Sequence, residues 1–155
     1  MPYNCKDWVP HITVATIVEQ DGLFLCVEEH SKSNQAVVIN QPAGHVERGE
    51  SILAAAVRET LEETGHLVEP EHLVAVQRWH KPNTDDTYFR IVVSAKVIDH
   101  DAERELDAGI VQALWLSRDE LTRRTIELRS PLVSQTVDDY LAGARHCLSI
   151  LKDFE

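Results

Sequence analysis

The chain has 155 residues, 43% hydrophobic and 26% charged, which is typical of a folded globular protein with one core, so we expect a single domain over residues 1–155. Its 15 Lys and Arg residues are outnumbered by 26 Asp and Glu residues, which gives a formal net charge of −11. Such a charge repels nucleic acid backbones and argues against nucleic acid as a partner, and an anionic ligand would need a cation to mediate its binding.

The N-terminal sequence MPYNCKDWVP lacks the basic and apolar regions of a secretory signal. No stretch of the chain approaches the roughly 20 apolar residues of a transmembrane helix. The three cysteines, Cys5, Cys26 and Cys147, are odd in number and widely spaced, which favours free thiols over a disulfide framework or a cysteine metal site. We therefore expect a soluble cytoplasmic protein with no membrane partner, as a monomer or a homodimer.

The first part of the chain is predicted to form strands. Residues 11–18 are rich in β-branched side chains, and LFLCVE from Leu23 follows the turn dipeptide Asp21-Gly22. This order predicts a hairpin. Another short strand is expected at 37–40, and it ends before Pro42 because proline lacks the N–H that a strand ladder needs.

The hydrophobic period then changes from two residues to about 3.6. From Ser51 onward, Leu53, Val57 and Leu61 recur at every fourth position with Ala56 and Thr60 beside them, which predicts a helix with one buried stripe. Gly65 can end this helix in a left-handed cap.

The rest of the chain is predicted to alternate between strands and helices. Strands are expected at 73–79, 88–98 and 111–116, with HKPNTDD as the loop between the first two. The segment 117–120 has the spacing of a capping box, and Ser130-Pro131 precedes a last helix that runs to about residue 144. This order of elements predicts an α/β fold with a mixed sheet between helices.

Three glutamates occupy one face of the first helix. Glu59, Glu62 and Glu63 are three and four residues apart and repel one another, and no lysine lies four residues from any of them. Two interpretations are open. The acids form a solvated surface, as most charge runs do, or their oxygens bind a hard divalent cation such as Mg²⁺ or Mn²⁺.

The residues around this helix favour the cation. The stretch from 44 to 66 is similar to the Nudix box, whose seven fixed positions are filled by Gly44, Glu50, Arg58, Glu59, Glu62, Glu63 and Gly65. Two positions at which the family prefers apolar residues hold Thr60 and His66 instead. The resemblance implies an α/β/α sandwich with a mixed β-sheet, and a metal-dependent hydrolase of phosphoanhydride bonds.

The resemblance also implies roles for individual residues. The metal ligands would be Glu59, Glu62, Glu63 and the carbonyl of Gly44, with Mg²⁺ or Mn²⁺ as the cofactor. Glu62 and Glu63 would also take part in catalysis. Many members add an acid from a later loop as a ligand or general base, and the candidates here are Glu103, Glu105 and Asp107. Asp107 is our choice because its place before Gly109-Ile110 best fits that loop, although an exposed acidic loop is an equal interpretation.

The same resemblance implies structural roles. Arg58 and Glu50 are expected to pair and to hold the box loop against the helix. Gly44 and Gly49 are expected to permit backbone turns that other residues disfavour. His45 is interpreted as a residue that forms hydrogen bonds within the loop rather than as a ligand.

Flanking segments extend the resemblance over most of the chain. The segments QPAGHVE (41–47), HITVA (11–15), Phe89-Arg90 and RSPLV (129–133) resemble the bacterial phosphatase NudJ group of the family. That resemblance implies nucleoside di- and triphosphates or thiamine-type pyrophosphates as substrates, with orthophosphate released.

A ring-bearing substrate needs stacking surfaces, and its phosphates need cationic donors. The candidate substrate-binding residues are Trp79, Lys81, Phe89 and Arg90. The aromatic residues would belong to the core in the alternative interpretation, because they carry large apolar area. Other readings also stay open: a Nudix enzyme for ADP-ribose, dinucleoside polyphosphates or oxidised nucleotides, or a non-catalytic module of the same fold that senses a ligand.

Overall fold

The computed structural model of the chain describes residues 8–154, and Cys5 lies outside this part. Its strands are β1 (His11–Ile17), β2 (Glu19–Gln20), β3 (Leu23–His30), β4 (Val37–Asn40), β5 (Ala43–His45), β6 (His66–His80), β7 (Thr87–His100) and β8 (Ile110–Ser117). Its α-helices are α1 (Ile52–Thr64), α2 (Arg118–Arg123) and α3 (Leu132–Leu141). Within the described part, none of the helices has the length and apolar character needed to span a bilayer.

The strands form two sheets. The first sheet has the order β5-β1-β7-β6 and is mixed, because β1 and β7 run parallel while the other pairs are antiparallel. In the second sheet β3 pairs antiparallel with β2, β4 and β8. The predicted α/β class and mixed sheet are confirmed, and a second, antiparallel sheet accompanies them.

The predicted hairpin is wrong in its first strand. Only the two residues of β2 pair with β3 across the turn, while β1 lies in the first sheet between β5 and β7. The turn residues themselves match the prediction, since Asp21 and Gly22 have φ values of 51° and 79°. The strand from Val14 to Ile17 is fully buried, so a central position in a sheet suits it better than a hairpin edge.

The predicted ends of α1 are confirmed. The Ser51 side chain accepts a hydrogen bond from the Ala54 N–H, and Gly65 has a left-handed φ of 73°. The predicted buried stripe is confirmed in part, because Ala56 and Thr60 are buried whereas Leu53, Val57 and Leu61 are only partly covered. The buried face consists of Ala55, Ala56, Glu59, Thr60, Glu63 and Thr64. Small alanine side chains let this face approach the sheet closely, and that approach buries the two glutamates.

The core lies on both faces of the first sheet. Val14 and Ile91 pack with Ala55 and Ala56 of α1 on one face. The next residues along the same strands, such as Ala15 and Val92, pack on the opposite face with residues of the second sheet and of α3. The first sheet is therefore the central layer between α1 and the second sheet.

The later elements follow the predicted order with different lengths. β6 starts at His66 and passes through Pro70, where register shifts on either side accommodate the missing N–H. The capping box of α2 is confirmed, with both Ser117 and Glu120 contributing hydrogen bonds. α3 ends at Leu141, earlier than predicted.

Candidate metal and substrate site

Carboxylates from α1 and from the loop before β8 meet at one point. One oxygen from each of Glu59, Glu62 and Asp107 lies within 4.8 Å of the other two. The Asp107 N–H donates to the Glu62 carbonyl at 3.0 Å, which ties the loop to the helix. A set of three carboxylate oxygens at this spacing fits a hard divalent cation.

Gly44 of β5 lies directly against this cluster. A Cβ at residue 44 would overlap the carboxylate of Glu59. Gly44 is not among the glycines with positive φ, so the expected backbone turn is wrong here, whereas Gly49 has a φ of 78° as expected. Glycine is required at residue 44 for space, because only without a side chain can the Glu59 carboxylate lie directly against the β5 backbone.

Glu63 neighbours the acidic cluster without being one of the three acids that meet within 4.8 Å. Its Oε2 accepts a hydrogen bond from the Ala43 N–H at 3.0 Å, and none of the ion pairs within residues 8–154 includes it. Burial raises the pKa of Glu63 to about 9, and the neighbouring carboxylates of Glu29, Glu59 and Asp107 add to this effect. Burial also raises the pKa of Glu59. Both side chains therefore lie where a cation would stabilise their charged forms.

Arg58 neutralises part of the acidic face. Its Nε and Nη2 donate to Glu50 at 2.7 and 2.9 Å, and its Nη1 donates to Glu59 and Glu62 at 2.9 and 3.0 Å. These bonds raise the pKa of Arg58, and the bond from Arg58 lowers the pKa of Glu50. The Arg58–Glu50 pair forms as predicted. Arg58 also lies four residues before Glu62, so its charge reduces the repulsion among the glutamates of α1. This arginine was overlooked in the sequence prediction, which considered only lysines at this spacing.

Arg90, a candidate phosphate-binding residue, is only 6% exposed. Its Nη2 donates to Gln41 Oε1 at 2.7 Å and to Asn40 Oδ1 at 3.3 Å, while its Nε has no partner among the described residues. Burial lowers the pKa of Arg90 to about 10. Asn40 in turn donates to Glu29, which pairs with Arg129. This polar network was not predicted from the sequence. Gln41, the first residue of the QPAG segment, was the residue that could have indicated it.

The other candidate substrate residues lie on two faces of the first sheet. Trp79 packs against Tyr88, with ring centroids 5.8 Å apart, on the face that also carries Arg90. Phe89 faces the opposite side because side chains alternate along a strand, and Trp8 packs against it there at 6.4 Å. Lys81 begins the loop between β6 and β7, and its N–H donates to the Asp86 carbonyl. Phe89 is therefore separated from Trp79 and Arg90.

Comparison with known proteins gives concordant results. Residues 9–136 match the family model of the NUDIX domain. Phosphatase NudJ of Escherichia coli strain K12 is 35% identical over 145 residues, which cover 94% of this chain and 92% of that protein. Phosphatase NudJ of Shigella sonnei strain Ss046 matches with the same identity and coverage.

Solved structures give the same answer for the fold. A NUDIX hydrolase from Nitrosomonas europaea has a TM-score of 0.91 and 45% identity, with 94% of this chain and 98% of that chain covered. A MutT protein from Methanosarcina mazei Go1 has a TM-score of 0.71 at 20% identity, covering 90% and 99%, and so shares the fold. The resemblance to NudJ inferred from the flanking segments is confirmed. The chain thus belongs to the Nudix hydrolase family, whose members cleave phosphoanhydride bonds.

Proposed function

We propose that this enzyme requires Mg²⁺ or Mn²⁺ and hydrolyses a phosphoanhydride bond in a nucleoside di- or triphosphate or a thiamine-type pyrophosphate. The observation that carries the proposal is the meeting of Glu59, Glu62 and Asp107 within 4.8 Å beside Gly44. The similarity to proteins named phosphatase NudJ supports the choice of substrate class.

The residues present fit a divalent cation. Glu59, Glu62, Asp107 and the Gly44 carbonyl would hold it, with Glu63 as a further ligand from the deeper side. When bound, the cation neutralises phosphate oxygens and lowers the pKa of a coordinated water. This chemistry suits a chain with a net charge of −11, because the acidic protein by itself would repel an anionic substrate.

Residues of the protein would supply proton transfer, orientation of the acids and binding of the substrate. The buried Glu63 carboxyl, with its raised pKa, is suited to hold or accept a proton beside the cluster. Arg58 holds Glu59 and Glu62 in orientation through its two bonds from Nη1. On the substrate side, Trp79 offers a ring for stacking and Lys81 a cation for phosphate oxygens. Arg90 is buried and orients Gln41.

The proposal is tested by measuring phosphate release from a panel of nucleotides, thiamine pyrophosphate, ADP-ribose and dinucleoside polyphosphates. The assay is run with Mg²⁺, with Mn²⁺ and with EDTA. We expect turnover that depends on the metal, with orthophosphate as the product. Equal rates with and without EDTA, or no turnover of any compound, would contradict the proposal. Release of pyrophosphate from nucleoside triphosphates would instead indicate a pyrophosphohydrolase.

A further inference from the structure

Four aromatic rings, one from each strand, form a row across the first sheet. The row consists of Trp79 of β6, Tyr88 of β7, His11 of β1 and His45 of β5. Neighbouring ring centroids are 5.8, 4.5 and 5.3 Å apart, in that order. The strand register produces this row, because Trp79 pairs with Tyr88 and Tyr88 with His11. We call these four side chains the ring row.

His11 is held on both sides within the ring row. Its Nδ1 lies 3.1 Å from Nε2 of His45, and its Nε2 lies 3.6 Å from a carboxylate oxygen of Asp86. With both ring nitrogens engaged, the imidazole lies within 14° of parallel to the Tyr88 ring. Its side chain nevertheless keeps 37% of its surface exposed. Tyr88 covers one face of the imidazole, and these contacts order the part of the ring that stays exposed before a ligand arrives.

The position of the ring row relates it to the acidic cluster. His45 directly follows Gly44, whose backbone lies against the Glu59 carboxylate. On the same face of the sheet, the next positions are Arg90 and Thr13, and beyond them lie Ala15 and Val92 of the core. The row therefore begins on β5, one residue from the glycine that contacts Glu59, and extends to the edge strand β6; the His45 side chain itself lies on the sheet face opposite that contact.

We propose that the ring row stacks against the heteroaromatic group of the diphosphate substrate, and that His11 is a specificity-determining residue at its centre. The inference rests on the proposed function and names how that substrate is recognised. Stacking of a base on an aromatic side chain stabilises the bound state and tolerates different bases, because every base has a π-face. The Asp86 carboxylate disfavours a phosphate at this end, so the ring lies on the row and the phosphates face the cation that the acidic cluster would hold.

Steady-state kinetics of His11→Ala and His11→Phe test the proposal, with ADP as the ring-bearing ligand and inorganic tripolyphosphate as the ringless one. Tripolyphosphate is measured as a substrate or, if it is not cleaved, as a competitive inhibitor. We expect His11→Ala to raise KM for ADP about tenfold with little change in kcat, because one stacking contact is lost. Its constant for tripolyphosphate should not change. His11→Phe should keep most of the wild-type KM, and His146→Ala, an exposed histidine elsewhere, serves as the control.

Binding provides a readout that does not need turnover. A methylene-bridged analogue of ADP should quench tryptophan fluorescence in the wild type, and its Kd should rise about tenfold in His11→Ala. If the wild type binds this analogue but cleaves no diphosphate, the proposed function fails while the inference about the ring row stands. If His11→Ala does not fold, Asp86→Asn replaces it, with a smaller rise in KM for ADP expected.

Three results would overturn the inference. The first is an unchanged KM for ADP in His11→Ala. The second is an equal change for ADP and tripolyphosphate, which would indicate damage to the phosphate site rather than lost stacking. The third is a defect in His11→Phe as large as that in His11→Ala, because the ring would then not matter.

Discussion

Two groups of carboxylates in this protein lie in contrasting surroundings. Beside the second sheet, Glu28 pairs with Arg124 at 2.7 Å and Glu29 with Arg129 at 2.9 Å. Hydrogen bonds from Gln112 and Arg124 lower the pKa of Glu28. On α1, by contrast, one arginine serves three glutamates, and burial raises the pKa of Glu63 to about 9.

The difference distinguishes acids that stabilise the fold from the acids of the proposed cation site. Glu28 and Glu29 are already paired with arginines, although Arg124 also pairs with Glu127, so they stabilise the fold and have little charge left for a ligand. A buried carboxylate without such a partner carries a desolvation penalty that the fold does not offset. Unbalanced acids of this kind are typical of functional sites.

The largest expected effect comes from Glu63→Gln, which removes the charge and preserves the shape. We expect kcat to fall by at least about a hundredfold, because a group that binds metal or transfers a proton is lost. Phosphate release with Mn²⁺ measures the change. Glu69→Gln, an exposed glutamate on β6 that pairs with Lys96, is the matched control and should retain full activity. Full activity in Glu63→Gln would show that this acid of α1 is no more important for catalysis than the arginine-paired acids Glu28 and Glu29.

The pH dependence of stability tests the same residue without catalysis. The pKa of Glu63 is raised to about 9, so in the absence of metal the folded protein holds a proton that the unfolded chain releases near pH 4. The stability from this proton is complete below the unfolded pKa and is lost as the pH rises towards 9. In EDTA, the free energy of unfolding should fall by up to about 1.4 kcal/mol per pH unit in this range. Denaturant unfolding of Glu63→Gln should lack this component, and parallel curves for both proteins would contradict the assignment.

Arg58→Met tests whether the single arginine of α1 carries more than an ordinary ion pair. We expect a loss of about 2–3 kcal/mol in the free energy of unfolding, since three carboxylates lose their charged partner. Arg118→Met is the control, because Arg118 makes a two-bond pair with one carboxylate, Asp138. Its loss should be at most about 1 kcal/mol. Equal losses measured by urea unfolding would argue against a special role for Arg58.

Gly44→Ala separates metal binding from stability. The added Cβ would displace the end of the flexible Glu59 side chain, so the fold should persist while Mn²⁺ affinity falls about tenfold, as for other disturbed ligand positions. Gly49→Ala is the opposite control. It meets nothing within 4 Å but requires a φ of 78°, so it should lose about 1 kcal/mol of stability and keep its metal affinity. Calorimetric titration with Mn²⁺ distinguishes the two variants. Unchanged Mn²⁺ affinity in Gly44→Ala would contradict a role for the Gly44–Glu59 contact in metal binding.

The ends of α1 and the start of α2, predicted from short-range sequence patterns, are confirmed by the structure. Ser51 and Gly65 bound α1 as expected, and Ser117 forms its capping box, because each depends on residues within one helical turn. The predicted stripe was only a partial guide to burial, since Ala56 and Thr60 are buried and Leu53, Val57 and Leu61 are partly covered. Its period is correct, but the distance between α1 and the sheet is set by Ala55 and Ala56, and that distance decides which face is covered.

By itself, the sequence determined the family, the class of fold and the identity of the acids on α1, because box spacing and helix period are properties of neighbouring residues. Only the tertiary structure decided which acids meet. It brought Asp107 within 4.8 Å of Glu59 and Glu62, and it placed His11 against His45 across 34 residues of chain. Such contacts depend on strand register and on close packing between distant segments, which the local hydrophobic pattern does not specify.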